Sequence, residues 1–154
     1  MLFQVKHQPE DFIVEELLPQ LPAGQGDIFY VYIEKRNLTT MEVVEFLQRS
    51  FHLSREDIGI AGLKDKVGIT RQWISLFKRK LEQIGGESAF LAVLNEQVNV
   101  LQTSRGTQPL RVGGNAGNKF TVRLRATSTV SEPVKMLIEK NIENVQTKGF
   151  PNCF

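Results

Sequence analysis

Asp65 is the residue whose setting most invites chemistry. It stands in Gly62-Leu63-Lys64-Asp65-Lys66-Val67-Gly68-Ile69-Thr70-Arg71-Gln72, a polar loop between apolar runs, with a lysine on either side. Two adjacent cations favour the ionised carboxylate, so at neutral pH the group should serve as a base or nucleophile and not as an acid. The same spacing also suits a solvated surface turn in which Lys, Asp and Lys alternate. Little else in the chain offers reactive side chains. His7, His52 and the single Cys153 have no spacing that would build a zinc site, and one cysteine excludes an internal disulfide. No metal is expected, and a reduced, cytoplasmic protein is.

The scaffold must therefore be one that presents a loop carboxylate. With 154 residues, 41% hydrophobic and 23% charged, the chain has ordinary globular composition and length for one domain with one core. Lys and Arg total 19 against 17 acidic residues, a net charge of +2, too mild to imply a nucleic-acid partner by itself. The first residues lack a long apolar core, and no run approaches the roughly 18 apolar residues of a spanning helix. Neither a targeting segment nor a membrane is expected.

Phe12-Ile13-Val14 reads as a short strand before a turn-rich stretch with Pro19, Pro22, Gly24 and Gly26. Ile28 to Ile33 is apolar on both alternating faces and suits the interior of a sheet. Leu38, Thr39 and Glu42 form a capping box that opens a helix over 40–51, with Val43, Phe46, Leu47 and Phe51 on its inner face and Glu42, Glu45, Gln48 and Arg49 in water. Ser54 to Asp57 repeats the capping pattern and opens one short turn ahead of the Asp65 loop. Beyond that loop, Ile69 to Phe77 is a strand, which puts the acid near a strand entrance.

After Lys78-Arg79-Lys80 and the breaker Gly85-Gly86, Ser88 can cap a short helix to about Asn95 that buries Phe90, Leu91 and Leu94, and Val98 to Gln102 is a further strand. Thr103 to Asn118 is turn-rich and carries Arg105 and Arg111, a connection long enough to suggest function. In Lys119 to Arg125 the alternation predicts a strand with Phe120, Val122 and Leu124 buried, and with Lys119, Thr121, Arg123 and Arg125 forming a basic face for phosphates or for plain solvation. Ser131-Glu132-Pro133 opens a last helix with a stripe of Val134, Leu137, Ile138, Ile142 and Val145, ending near Lys148-Gly149. The apolar ending Phe150 to Phe154 suggests a cut. The class is α+β: a mixed, largely antiparallel sheet with about three helices. Gly113 to Gly117 lacks the context of a nucleotide-binding loop, so no such cofactor is expected.

Four segments, in order, carry a family resemblance. Pro9-Glu10-Asp11-Phe12-Ile13-Val14-Glu15-Glu16, preceded by Lys6, resembles the opening signature of the TruD family of tRNA pseudouridine synthases. Gly62 to Gln72 resembles its G-x-K-D core, Leu110-Arg111 through Phe120 its L-R-x-G…G-N-x-F motif, and Gly149 to Phe154 the start of its G-x-P-N-Y-F motif.

The resemblance implies half of a pseudouridine synthase catalytic domain, with an inserted domain and the C-terminal half absent. It implies isomerisation of a uridine in tRNA, at position 13, without metal or cofactor. On it the catalytic aspartate falls on Asp65, its basic partner on Lys6, and the substrate-binding residues on Phe12, Asn118 and the base-stacking Phe120. Gly68 stands where the family usually has alanine, and an extra glycine there would loosen the loop. Cys153 stands where it has tyrosine. Because family members continue well past this length, two expectations follow. The chain is the N-terminal portion of such an enzyme, or is completed by another chain; or it is an inactive fragment that binds RNA weakly or self-associates.

Overall fold

A computed structural model describes residues 3–149, so the apolar ending at 150–154 lies outside the described residues. The chain divides into two compact units, one spanning residues 5–123 and the other formed by residues 1–4 with 124–154. The fold is α+β with a mixed sheet, as the sequence predicts.

The larger unit is built on strands β2 (Phe12–Leu17), β3 (Ile28–Arg36), β4 (Ile58–Ile60), β5 (Ile69–Phe77), β6 (Asn99–Gly106) and β7 (Gly117–Val122), with β1 (Phe3–Gln4) reserved for the smaller unit. Their order is β6-β3-β5-β2-β7, with β4 also paired to β5. Only the β2–β5 ladder is parallel, matching Ile13 with Ile69 and Val14 with Thr70. The others are antiparallel, including β2–β7, where Phe12, Val14 and Glu16 face Val122, Phe120 and Asn118. The β2 ladder leaves β5 after Arg71, and β4 takes over at Ile74. Trp73 falls in the gap between them.

Helix α1 (Thr40–Phe51) begins as predicted. Thr39 Oγ1 accepts from the Glu42 amide at 3.0 Å, and the Glu42 carboxylate accepts from the Thr39 amide at 2.7 Å. Its buried Val43, Val44 and Leu47 join Phe29, Val31 and Ile33 of β3 and Ile74 and Leu76 of β5 in the main core. Fully burying each such side chain is worth about 1.5–3 kcal/mol. Glu42 is not left to water, because Lys66 reaches it at 2.7 Å. A smaller aromatic cluster of Ile28, Tyr30 and Trp73 covers the opposite face of the sheet, with the Tyr32 and Trp73 rings 4.9 Å apart.

Several sequence expectations need correction. Lys78–Gln83 forms a short helix, α2, with no side-chain cap to announce it. Helix α3 runs Gly86–Leu94 and starts from Gly85, whose φ of 96° is open to glycine, so Ser88 lies inside the helix and not at its cap. The strand that should end near Gln102 continues to Gly106, shortening the irregular stretch to residues 107–116. On β7 the alternation is present but its apolar side is open: Phe120 is 58% exposed and Val122 47%. The basic side is not free either, since Lys119 lies 3.0 Å from Glu15.

In the smaller unit, β1 pairs antiparallel with β8 (Arg125–Ala126), so Leu124 falls outside a strand. Helix α4 (Glu132–Lys148) follows with Pro133 in its first turn, and none of its described residues is buried.

Candidate active site

The Asp65 loop is held from beneath by α1 and the strand before it. Thr40, at the first turn of α1 and almost fully buried, links to Lys64 twice: its amide donates to the Lys64 carbonyl at 3.3 Å, and its Oγ1 accepts from the Lys64 amide at 2.8 Å. The same hydroxyl donates to Gln72 Oε1 at 2.8 Å. Asn37 clasps the far end of the loop, its amide donating to the Gly68 carbonyl at 3.0 Å and its Oδ1 accepting from the Gly68 amide at 3.2 Å. Lys35 Nζ donates to the Leu38 carbonyl and, at 3.4 Å, to the Asp65 carbonyl. These polar groups come from β3, α1, the turn between them and, for Gln72, β5, so the backbone around Asp65 is set before any ligand arrives.

The two lysines that flank Asp65 in sequence do not attend it. Lys64 turns inward to the Glu16 carboxylate at 3.1 Å, with 5% and 0% of the two side chains exposed. Lys66 turns sideways to Glu42, and that ammonium, with the Thr39 cap, holds the Glu42 carboxyl down at about 2. Asp65 itself is exposed, and among the described residues its carboxylate makes no hydrogen bond or ion pair. Lys35 is 1% exposed, and among the described residues its ammonium donates to carbonyls alone. Burial, reinforced by the Lys64 charge, brings its ammonium down to about 8 against the opposing pull of Glu42 and Asp65.

Phe12, Phe120 and Lys6 come together beside the loop. The Lys6 ammonium lies 4.0 Å from the centre of the Phe12 ring, a cation–π contact, and the Phe12 and Phe120 rings are tilted at 44° with centroids 6.1 Å apart. Lys6 has a left-handed φ of 58°, an uncommon backbone for a non-glycine residue. It does not form an ion pair with Asp65 among the described residues; its position over Phe12 is the contact the structure gives it. Asn118 is exposed on β7 opposite Glu16, so the pleat puts it on the same face as Phe12 and Phe120.

Gly68 joins the two halves. Its φ is 110°, and a Cβ there would lie 2.4 Å from the Phe12 carbonyl oxygen. Glycine therefore lets the loop close onto β2 and does not loosen it, contrary to expectation. A cavity of about 710 Å³ lies elsewhere, lined by Tyr30 and the loops around Pro22 and Pro109, and contains none of the five predicted residues. The candidate site is instead an open face floored by Phe12 and Phe120, with the Asp65 loop above the β2–β5 junction.

Sequence reasoning missed the supporting residues: Glu16, Lys35, Asn37, Thr40 and Gln72. A signal existed for two of them, a lysine in phase with Val31 and Ile33 at the end of β3 and a glutamate in phase with Val14 on β2.

Comparisons with known proteins cover the same stretch of chain. The family model described as tRNA pseudouridine synthase D (TruD) matches residues 3–154. A tRNA pseudouridine synthase D of Geobacter metallireducens is 37% identical over 150 residues, covering 97% of this chain and 35% of that protein. One from Thermus thermophilus is 36% identical over 146 residues, covering 92% of this chain and 39% of that protein. A crystal structure from Methanosarcina mazei, described as tRNA pseudouridine synthase D, superposes with a TM-score of 0.77 at 27% identity, over 99% of this chain and 34% of that one. The chain thus spans little more than a third of the length of the relatives it matches, and corresponds to their N-terminal portion. With four motifs in order, a family match over nearly its full length and a shared fold, this chain belongs to the TruD family of tRNA pseudouridine synthases.

Proposed function

We propose that residues 1–154 are the N-terminal part of the catalytic domain of a cytoplasmic tRNA pseudouridine synthase, and that Asp65 is its catalytic carboxylate. The observation that carries this reading is an exposed Asp65, without a hydrogen bond or ion pair among the described residues, on a loop fixed by Thr40, Asn37 and Lys35 and closed through Gly68 onto Phe12 of the Lys6–Phe12–Phe120 group. The substrate is a uridine in tRNA, position 13 on the family resemblance. Its N1–C1′ bond breaks, the uracil rotates, a C5–C1′ bond forms, and the C5 proton is released while N1 gains one. Nothing is oxidised or reduced, so no cofactor is required.

Asp65 acts either by adding to the ribose or by removing a ribose proton. A target base must leave its stack to be reached, and Phe12 and Phe120 offer it rings while Asn118 offers amide hydrogen bonds. Lys6, held over Phe12, supplies positive charge beside the phosphate backbone and the carboxylate. The facing wall of the pocket is proposed to come from residues beyond these 154, further along the polypeptide or in another chain.

The test is to incubate the 154-residue chain, and a protein that carries it within the length of its relatives, with unmodified tRNA and to score pseudouridine. We expect product from the longer protein at least, and a loss of about a thousandfold or more in Asp65→Ala and Asp65→Asn. Product surviving in Asp65→Ala would remove the catalytic assignment. Absence of product from both wild-type proteins would favour the inactive, weakly RNA-binding or self-associating alternative.

A further inference from the structure

We propose that Glu16 is a positioning residue for Asp65, acting through Lys64. By holding the Lys64 ammonium inside the protein, it turns the next residue outward onto the open face. The inference rests on the reading of Asp65 as the catalytic carboxylate and adds the element that aims it.

Burial along the loop alternates: Leu63 is 62% exposed, Lys64 7%, and Asp65 is exposed again. Extended backbone sends successive side chains to opposite sides, and the exposed–buried–exposed order of residues 63–65 follows that alternation, so a Lys64 held inward leaves Asp65 directed outward. Lys64 is fixed by two independent ties, its backbone to Thr40 and its Nζ to Glu16 Oε1 at 3.1 Å. Glu16 is fixed in turn, because its other oxygen accepts from the Trp73 amide at 3.1 Å. That amide lies in the gap where β2 has left β5 and β4 has not yet begun, so the carboxylate stands in for a missing ladder partner.

The surrounding loop is shaped to the pair. A Cβ on Gly62 would lie 2.9 Å from Lys64 Nζ and 3.3 Å from Glu16 Oε1, so the glycine leaves the room that the pair occupies.

A role in stability alone explains this poorly. Burying two charges carries a desolvation penalty, and apolar replacements of such pairs are often neutral or stabilising. The main core under α1 is assembled from other residues. What the pair adds is the inward direction of the Lys64 side chain, on a backbone that Thr40 already ties.

The experiment replaces the pair without stranding a charge: Glu16→Gln with Lys64→Met, in the protein used for the activity assay. The glutamine keeps an acceptor for the Trp73 amide. We expect cooperative unfolding at a midpoint no lower than wild type, KM for tRNA within about twofold, and kcat reduced about tenfold or more. We also expect the Lys64 and Gly68 amides to exchange with solvent at least about tenfold faster while those of Val31 and Ile74 stay protected.

Unchanged exchange at Lys64 and Gly68 would overturn the proposal. So would loss of protection throughout the sheet, which would make the pair a support of the whole fold. Wild-type kcat in the double variant, with Asp65→Ala inactive in the same assay, would overturn it while leaving the proposed function intact. Product from Asp65→Ala would instead defeat the functional reading, and the exchange measurement would still judge whether the pair sets the loop.

Discussion

Glu15 and Glu16 are consecutive on β2, so the pleat sends their carboxylates to opposite faces of the sheet, and the two faces treat charge differently. Glu15 is shared by Arg71 at 3.1 Å and Lys119 at 3.0 Å, and Arg71 also reaches Glu34 at 2.8 Å. The Lys119 ammonium, assisted by Arg71, holds the Glu15 carboxyl below its usual range. Its members remain partly wet, Lys119 most of all at 64% side-chain exposure. Glu16 has a single cation and no water contact to speak of, its side chain being 0% exposed. A wet, shared network is redundant and screened, whereas a dry, exclusive pair has one geometry. The difference teaches that the first spreads charge over a surface, and the second fixes a loop.

Three measurements would break or sharpen this contrast. The largest effect is expected for Glu16→Ala alone, which strands the Lys64 charge and the Trp73 amide together; a loss of about 3–5 kcal/mol in urea unfolding is expected. A loss below about 1 kcal/mol would mean that water enters and that the two faces are equivalent after all.

The next concerns Lys35, on the same face as Glu16 but without a carboxylate partner. Its folded value of about 8 lies below the ordinary 10.5. Between those values the unfolded chain keeps a proton that the native protein has released, so stability rises with pH across that window and the full penalty applies below it. Wild type should gain up to about 3 kcal/mol relative to Lys35→Met between pH 7.5 and 10. Parallel stability curves for the two proteins would show that Lys35 is not buried as a charge.

The smallest effect is expected for Glu15→Ala: less than about 1 kcal/mol, shrinking further in high salt as the remaining charges are screened. A loss as large as that of Glu16→Ala would erase the distinction from the other side.

What could be read from the sequence was local. Thr39 and Glu42 announce α1 because a capping box is made by residues three apart, and β5 is announced by the β-branched and aromatic residues Ile69, Thr70, Trp73, Ile74 and Phe77. Asp65 is proposed from its motif; Phe12, Phe120 and Lys6 lie together, with Lys6 against Phe12 and, among the described residues, not in an ion pair with Asp65. What could not be read was long-range. Whether Lys64 points at its neighbour Asp65 or away from it is decided by Glu16, 48 residues earlier. Helix α2 was missed because it is six residues long and has no capping side chain. Phe120 and Val122 were expected to be covered because alternation reveals which residues share a face, and says nothing of what lies over that face.

The place of β2 in the sheet also dictates when the site can exist during synthesis. Its ladders run to residues 69–71 on one side and 117–122 on the other. Until the ribosome has extruded roughly 120 residues, the strand beside the Asp65 loop can pair with β5 but lacks its outer neighbour. Phe12, Val14 and Ile13 would wait that long with one backbone edge unpaired, a period in which a nascent chain invites chaperones or aggregates. The paired floor of the candidate site, on this topology, is among the last features the larger unit acquires.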